Sequence, residues 1–311
     1  NVLGKPMKEP QDVPFEKEGK YLKSDNRSNI SYFLEHNVLL RRFTLSVGVL
    51  ANYNSALNEG IHFYPGIDAS YRIGDNFRLY GSWNRALRMP TFTDLYYEGK
   101  TNKGNPDLKP EESEAFEVGL KYNTYFLRAH IAGFYRKGKN MIDWVKEKPE
   151  DIWESQNLTK VDNLGFETNL SLLPRELGNE RFFIRKIELG YAFIHQDKDS
   201  EGYISNYALD YLKHKFTAQL SHSIWKGFSA TWYVRWQDRA GSYTKYENLK
   251  PAYEEPYAPY CLVDMKVNWE YQRLNLYAEL NNLLNSTYYD LGNIPQPGIW
   301  FKAGFRYSFK Y

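Results

Sequence analysis

The sequence predicts an all-β fold, an antiparallel β-barrel whose strands cross a membrane. Three observations lead to this prediction: a period-two alternation of apolar and polar residues, connections that are short and long in turn, and aromatic residues near the strand ends. Aromatic side chains make up 17% of the 311 residues and include 27 Tyr, a residue that favours the boundary between a dry and a wet environment. Apolar faces that meet lipid and polar faces that line a wet or plugged lumen account for this pattern.

The alternation begins near Asn29 and continues almost to the end of the chain. In the segment 43–53, for example, Val47 and Tyr53 share one face of an extended strand and Ser46 lies on the other. We count about 13 such strands and predict no helix. After a first strand that starts near residue 29, they are centred on residues 43–53, 67–73, 77–83, 116–122, 127–144, 152–172, 187–193, 216–220, 228–236, 263–269, 274–280 and 301–309.

Strand length and composition exclude several other classes of protein. Many strands have ten or more residues, which suits a tilted membrane strand of roughly 9 to 11 residues better than a soluble sheet. A soluble two-sheet sandwich remains the alternative. No apolar run approaches the roughly 20 residues of a spanning helix, so a helical membrane protein is excluded. The 40 basic and 38 acidic residues nearly balance, unlike those of a nucleic-acid binder, and the lone Cys261 excludes an internal disulfide framework.

The connections between the strands fall into two alternating kinds. Short turns are expected near Arg41, Gly74, Asn123, 224–227 and Tyr271, with an intermediate one at 174–180. Long loops are expected at residues 55–61, 87–110, 146–151, 197–206, 241–256 and 285–297. One end of the sheet therefore carries tight turns and the other carries long loops. The stretch 85–111 contains five Pro and Gly residues, which argue against a regular helix or a paired central strand.

Short motifs in and around that stretch resemble one known family. The segments ALRMPTFTDLY (86–96), GNPDLKPE (104–111) and FEVGLKY (116–122) follow one another as in TonB-dependent outer-membrane transporters. Further similarities are NLGFE (163–167), LNNL (280–283) followed by Tyr288, and a last strand, 305–311, that ends on an aromatic residue. Terminal strands of bacterial outer-membrane barrels end in the same way. From about Asn29 to Tyr311, the chain closely resembles this family.

The resemblance implies an architecture larger than this chain. Family members carry an amino-terminal plug domain, a short TonB-binding segment ahead of it, and a barrel of about 22 strands. About 13 strands would form only the carboxy-terminal portion of such a barrel, with the plug domain absent, so we expect the chain to be part of a longer polypeptide. Residues 1–28 are expected to be an extracellular loop or partly disordered lead-in, and residues 29–311 the barrel portion.

The resemblance also implies a function in the bacterial outer membrane. We expect ligand-gated, energy-coupled import of a scarce nutrient, an iron–siderophore or a cobalamin-like corrinoid, with no enzymatic activity. The implied partners are the TonB–ExbB–ExbD complex acting through the plug, the nutrient chelate, membrane lipid with lipopolysaccharide, and the surface lipoprotein that some relatives have. A passive porin or adhesin-type barrel is one alternative, and a soluble β-rich binding protein is another.

Ligand binding in such a barrel needs aromatic and polar side chains that converge on a concave site. The short turns are expected on the periplasmic side, so the long loops are extracellular and their aromatic residues are the candidates. For each residue taken alone, packing within the loops is the alternative role. The predicted ligand-binding residues are Tyr96, Tyr97, Trp144, Trp153, Tyr203, Tyr243, Tyr246, Tyr253, Tyr288, Tyr289 and Trp300.

No metal or cofactor site is predicted. The six histidines lie on different segments, and no two have metal-ligand spacing beside a carboxylate. Runs of carboxylates at 111–112, 147–151 and 254–255 are expected in loops, where solvation is the default and calcium binding is the alternative. The histidines are His36, His62, His130, His195, His214 and His222.

Overall fold

A computed structural model describes residues 20–21, 26–55, 60–148, 150–178, 181–199, 202–205, 211–247, 250–292 and 294–309. Most of the predicted lead-in, 1–28, lies outside these ranges, and so does the terminal Tyr311. In chain order the strands and the one α-helix are β1 (Lys20–Tyr21), β2 (Asn29–Leu39), β3 (Phe43–Asn54), β4 (Ile61–Ile73), β5 (Phe77–Arg88), α1 (Phe92–Tyr96), β6 (Tyr97–Glu98), β7 (Asn102–Lys103), β8 (Glu111–Asn123), β9 (Leu127–Lys146), β10 (Trp153–Leu172), β11 (Ile184–Asp199), β12 (Ile204–Ser205), β13 (Leu212–Trp225), β14 (Phe228–Arg239), β15 (Ser242–Glu247), β16 (Lys250–Pro256), β17 (Tyr260–Tyr271), β18 (Leu274–Asn281), β19 (Tyr289–Leu291), β20 (Ile294–Pro295) and β21 (Trp300–Tyr307).

Thirteen of the described strands have eight or more residues, as the alternation predicted. Each of them pairs antiparallel with the next long strand along the chain, from β2 to β21. Four short strands join them in one 17-stranded sheet, while β15–β16 and β19–β20 form two small separate hairpins. Within the described residues β2 pairs only with β3 and β21 only with β18, so these two strands are the edges of the sheet.

The two faces of the sheet differ in chemistry as the sequence predicted. On one face large apolar side chains are exposed, and the exposed fractions of Val47, Leu79 and Ile131 are 44%, 44% and 52%. On the other face polar groups bond across strands, as in the ion pair between Lys266 Nζ and Glu279 Oε1 at 2.7 Å. A soluble sandwich would bury its apolar face against a second sheet. This chain leaves that face uncovered, which suits contact with lipid.

Among the described residues, no helix is both long enough and apolar enough to cross a membrane. The short turns and long connections alternate at the two ends of the sheet, as predicted. The turn after β10 is the longest of the short kind and contains a 3-10 turn, Pro174–Leu177.

The long-loop end contains a layer of additional pairings around β9 and β10. Both strands have 20 residues, about twice the length that a membrane strand needs. Strand β7 adds to β10 in parallel, and β12 adds to β9 antiparallel. The hairpin of β9 and β10 therefore extends beyond the membrane and forms a platform to which two other loops attach.

The prediction that no helix forms in 85–111 was wrong, because a single turn, α1, forms there. Thr91 and Asp94 make a capping box: the Thr91 hydroxyl accepts from the Asp94 amide at 3.1 Å, and the Asp94 carboxylate accepts from the Thr91 amide at 3.0 Å. These bonds satisfy amide groups that would otherwise be unpaired at the helix start. Pro90 precedes the cap and Gly99 follows the helix, so α1 is limited to five residues.

The carboxylates at 111–112 were expected in a solvated loop, and this was also wrong. Both residues start β8, and Glu111 is only 7% exposed. Arg88 donates to its carboxylate through Nε and Nη2, both at 2.5 Å, and the Ile142 amide donates at 2.8 Å. A planar guanidinium matches a carboxylate with two parallel bonds, which compensates for the loss of water. Glu111 thus connects β5, β8 and β9 at the base of the long loops.

The exposed apolar face generates the first prediction. Arg placed at Ile131 or Val47 in the full-length protein is expected to disfavour insertion by about 2 to 4 kcal/mol at mid-membrane depth. Arg placed at Asn169, which lies opposite His130 on the polar face, is the matched control. The fraction that folds into lipid vesicles measures the effect, and equal insertion of all three variants would contradict a lipid-facing Ile131 and Val47.

The buried carboxylate generates the second prediction. Glu111→Ala leaves the Arg88 guanidinium and the Ile142 amide without their acceptor, so we expect a local cost of about 1 to 3 kcal/mol. Glu112→Ala is the control, since Glu112 makes only an exposed contact with Arg85 at 3.8 Å. Limited trypsin digestion of the intact protein measures opening of the 85–111 loop. Cleavage that is no faster in Glu111→Ala than in Glu112→Ala would show that Glu111 does not hold this loop.

Candidate functional site

The candidate site is the end of the sheet that carries the long loops, because all eleven predicted ligand-binding residues lie in or beside those loops. Six of them lie in two places, on the β9–β10 platform and around the β15–β16 hairpin. On the platform Trp144 and Trp153 share one face and Tyr203 packs on the other. The group around the hairpin contains Tyr243, Tyr288 and Tyr289. The side chain of Tyr246 lies outside the described part of the chain.

The second group is built on stacked tyrosines from two different loops. The Tyr243 ring lies 5.3 Å from the Tyr289 ring and 5.1 Å from the Tyr257 ring, measured between centroids. Tyr243 and Tyr257 are 7% and 8% exposed, so their rings are almost fully covered by neighbours. Tyr257 was not predicted, and its hydroxyl accepts a hydrogen bond from the Gly292 amide at 3.0 Å. The role of Tyr243 is therefore to hold the two loops together.

A lysine and a carboxylate complete this group. Lys245 Nζ lies 5.9 Å from the Tyr243 ring and 5.8 Å from the Tyr289 ring, and it pairs with Glu255 at 2.7 Å. The hydrogen bond with Glu255 raises the pKa of Lys245, and the same bond lowers the pKa of Glu255. Burial, and then the bond to Glu255, raises the pKa of the Tyr243 phenol. At neutral pH the group thus holds an ion pair beside neutral rings.

The carboxylates at 254–255 were expected in a solvated loop, but both belong to β16 and have partners in β15. Glu254 accepts from the hydroxyls of Thr244 and Ser242 at 2.7 and 3.2 Å, while Glu255 pairs with Lys245. The carboxylates therefore fasten the hairpin. They are not free ligands for a cation.

Tyr288 packs on a second tyrosine that the sequence did not single out. Its ring lies 4.6 Å from the Tyr260 ring. The Tyr260 hydroxyl is within hydrogen-bond distance of Gln237 and of Asp290. Gln237 is near the end of β14 and Asp290 is in β19, so Tyr260 ties the loop of 282–299 to the barrel wall. Tyr260 is the first residue of β17, and its position at the start of a strand does not indicate from sequence that it connects a loop to the barrel wall.

Trp153 and Tyr203 on the platform are also packed rather than open. Lys146 Nζ lies 4.5 Å from the Trp153 ring, and Lys146 is buried. Tyr203 packs against the buried cluster formed by Val145, Leu158 and Val161. The Tyr203 contact fixes the loop that carries β12 on one face of the platform. The other face receives the 85–111 loop, where Ser155 Oγ donates to the Asp94 carbonyl at 2.5 Å.

Tyr96 and Tyr97 lie in the 85–111 loop and are both half-buried. Tyr96 stacks on Phe92 with 6.2 Å between centroids, and the Arg27 guanidinium covers Phe92 at 5.0 Å. The structure thus gives Tyr96 a packing contact inside its own loop.

Only two of the predicted residues with described side chains are widely open to solvent. Tyr253 is 53% exposed and Trp300 is 44% exposed. Lys302 Nζ lies 4.6 Å from the Trp300 ring and pairs with Glu279 at 2.9 Å. These two residues present the most accessible aromatic surface among the predicted residues with described side chains.

No group of three His, Cys, Asp or Glu side chains among the described residues is arranged to hold a metal ion. Three described histidines make other contacts. His130 Nε2 bonds to the Tyr80 hydroxyl and His214 Nδ1 bonds to the Tyr191 hydroxyl, at 2.7 and 2.8 Å, and His222 Nε2 accepts from Trp232 Nε1 at 3.1 Å. The polar face also contains a concavity of about 680 Å³ that includes Lys121, Glu188 and Arg235 in its lining.

Comparison with known proteins identifies the fold. Residues 9–283 match the family model described as "TonB dependent receptor-like, beta-barrel". The chain is 26% identical over 225 residues to the vitamin B12 transporter BtuB of Vibrio vulnificus, covering 54% of this chain and 36% of that protein. It is 22% identical over 297 residues to the ferrienterobactin receptor of Escherichia coli, covering 86% of this chain and 38% of that protein.

Solved structures agree with this assignment. The ferric enterobactin receptor PfeA of Pseudomonas aeruginosa, solved as a G324V mutant, superposes with a TM-score of 0.70 at 19% identity, covering 92% of this chain and 46% of that one. The chain thus spans less than half the length of these relatives. Since the family match extends over most of the chain, the protein belongs to the TonB-dependent receptor β-barrel family, whose members are receptors of the outer membrane and not enzymes.

Proposed function

We propose that this chain forms barrel wall and extracellular loops of a receptor that imports a scarce nutrient chelate, an iron–siderophore or a cobalamin-like corrinoid. The observation that supports this most directly is the loop surface around Tyr253, Trp300 and the tyrosine group of Tyr243. Exposed aromatic faces suit a chelate with conjugated rings. Relatives named for vitamin B12 and for ferrienterobactin both match this chain, so the cargo is proposed as this wider chemical class.

Import is proposed to be energy-coupled through the TonB–ExbB–ExbD complex and a plug domain, as expected from the family. The division of the chain into a lead-in, 1–28, and a barrel portion, 29–311, is also part of this proposal. Lipopolysaccharide and a surface lipoprotein are proposed contacts of the outer surface. The soluble β-rich protein and the passive porin or adhesin-type barrel are not retained, because the chain belongs to the TonB-dependent family.

The third prediction tests the loop surface with its two exposed aromatic residues. Tyr253→Ala combined with Trp300→Ala in the full-length receptor is expected to lower uptake at least tenfold, since truncating one aromatic hot spot of an interface costs about 2 kcal/mol or more. Uptake of ferric enterobactin and of vitamin B12 is measured in two separate arms. Tyr243 is avoided because its loss would collapse the hairpin rather than remove a ligand contact.

Tyr271→Ala is the matched control, as Tyr271 is 58% exposed but lies at the short-turn end. Equal uptake by the double variant and the control would show that the loop surface is not part of the binding site. Failure of the wild-type receptor to take up either probe, or uptake that persists in cells without TonB, would overturn the proposed import.

A further inference from the structure

Three lysines lie close together on the outward, lipid-facing side of the sheet near its long-loop end. Lys137 and Lys139 are two residues apart on β9, and the register places Lys139 directly opposite Lys160 of β10. Alternate residues of a strand share a face, so both lysines of β9 lie on the same face as the exposed Ile131. Lys160 lies on this face too, as the cross-strand partner of Lys139. We call the three residues the lysine cluster.

The lysine cluster borders a row of aromatic residues. Trp83 of β5 stands opposite Phe116 of β8, and Phe116 stands opposite Tyr135 of β9, two residues before Lys137. Such a row is typical of the boundary between the apolar band of a membrane barrel and the headgroup layer. The lysines follow this row on its long-loop side, so they lie at the height of lipid headgroups rather than of acyl chains.

The two lysines of β9 have no ion-pair partner in the part of the chain that the structure describes. The carboxylates across from them on β8 have other contacts: Glu114 accepts from Trp83 Nε1 at 2.8 Å, and Glu112 lies 3.8 Å from Arg85. No described carboxylate lies within 4.0 Å of either lysine. Their charge is therefore available to an anion outside the chain.

The third lysine is held in place by carboxylates on its own and the next strand. Lys160 Nζ lies 3.0 Å from Asp197 and 3.5 Å from Asp162. Asp162 is only 6% exposed and accepts from the Tyr135 hydroxyl at 2.9 Å, so it presents little charge at the surface. Like charges directly opposite each other destabilise a sheet, and an anion between Lys139 and Lys160 would remove this repulsion.

The spacing and position of the lysines select the kind of anion. Residues two apart on a strand are separated by about 7 Å, and directly opposite residues by about 5 Å. Over these distances the flexible lysine side chains can bring their ammonium groups to one phosphate, which lysine binds as a point charge. Because the cluster is on the lipid-facing side, the anion that reaches it belongs to the surrounding membrane.

We propose that the lysine cluster binds a phosphate group of lipopolysaccharide in the outer leaflet. The proposal rests on the proposed function, because it takes the long loops to be extracellular, and lipopolysaccharide is the phosphorylated glycolipid of that leaflet. It assigns to three residues a contact that was proposed above for the outer surface as a whole. The bound lipid lies against the base of the β9–β10 platform and outside the cargo site.

The test is native mass spectrometry of the full-length receptor in detergent with added lipid A. We expect Lys137→Gln with Lys139→Gln to raise the half-saturating concentration of bisphosphorylated lipid A about tenfold, because two charge-assisted contacts are lost. Lys137→Arg with Lys139→Arg keeps both charges and should bind as the wild type does. Lipid A without phosphates should bind the wild type and the Gln variant equally weakly.

Lys109→Gln with Lys148→Gln is the matched control, because both lysines are exposed and lie in loops at the same end but outside the cluster. It should leave the half-saturating concentration unchanged. Heat-modifiable migration on gels confirms that each variant is assembled, and Lys139→Gln alone replaces the double variant if that one fails to assemble.

Four results would each overturn the proposal: equal binding of the two forms of lipid A to the wild type, equal affinity for phosphatidylglycerol, displacement of lipid A by an equal concentration of inorganic phosphate, or equal binding by the Gln variant and the control. No import is measured in this experiment. Failure of the receptor to take up cargo would therefore overturn the proposed import and leave the result on lipid binding unaffected.

Discussion

The register of the antiparallel ladder is the constraint on which the rest of this structure depends. In lipid no water is present to satisfy the backbone, so each amide and carbonyl must bond to a neighbouring strand. A shift by one residue would exchange the two faces of a strand. In β3 and β4 the register sets Val47 opposite Ile67 on the apolar face and Ser46 opposite Asp68 on the polar face. The same pairing thus fixes both lipid contact and the chemistry of the lumen.

The loop surface is built from the same ladder, extended beyond the membrane. Strands β9 and β10 continue their pairing to Val145 and Glu154, where the short strands of two other loops attach. Glu111 fastens the base of this platform by joining three strands through one carboxylate. The described parts of the loops on this platform therefore hold one another in place, which lowers the entropy cost of ordering them when a ligand binds.

Sequence reasoning succeeded where the signal is local and failed where it is not. Thirteen strands and their alternating connections follow from period two, which any short window reveals. The capping box of Thr91 and Asp94 is a local signal too, but the prolines and glycines around it led to the prediction that no helix forms there. The burial of Glu111 depends on Ile142, 31 residues away, and the burial of Tyr243 depends on Tyr289 from another loop. No pattern within either segment contains that information.

Charged side chains on this sheet pair with carboxylates in some places and stand opposite like charges in others. At the long-loop end the charged groups of Arg88 and Lys245 pair with carboxylates from the same chain, so this end holds its own shape. At the short-turn end Arg72 and Arg78 stand opposite each other without such a carboxylate among the described residues. Elsewhere at the same end Lys186 and Glu188 of β11 form an ion pair at 2.7 Å, so the balance of charge differs from strand to strand and not simply from one end of the sheet to the other.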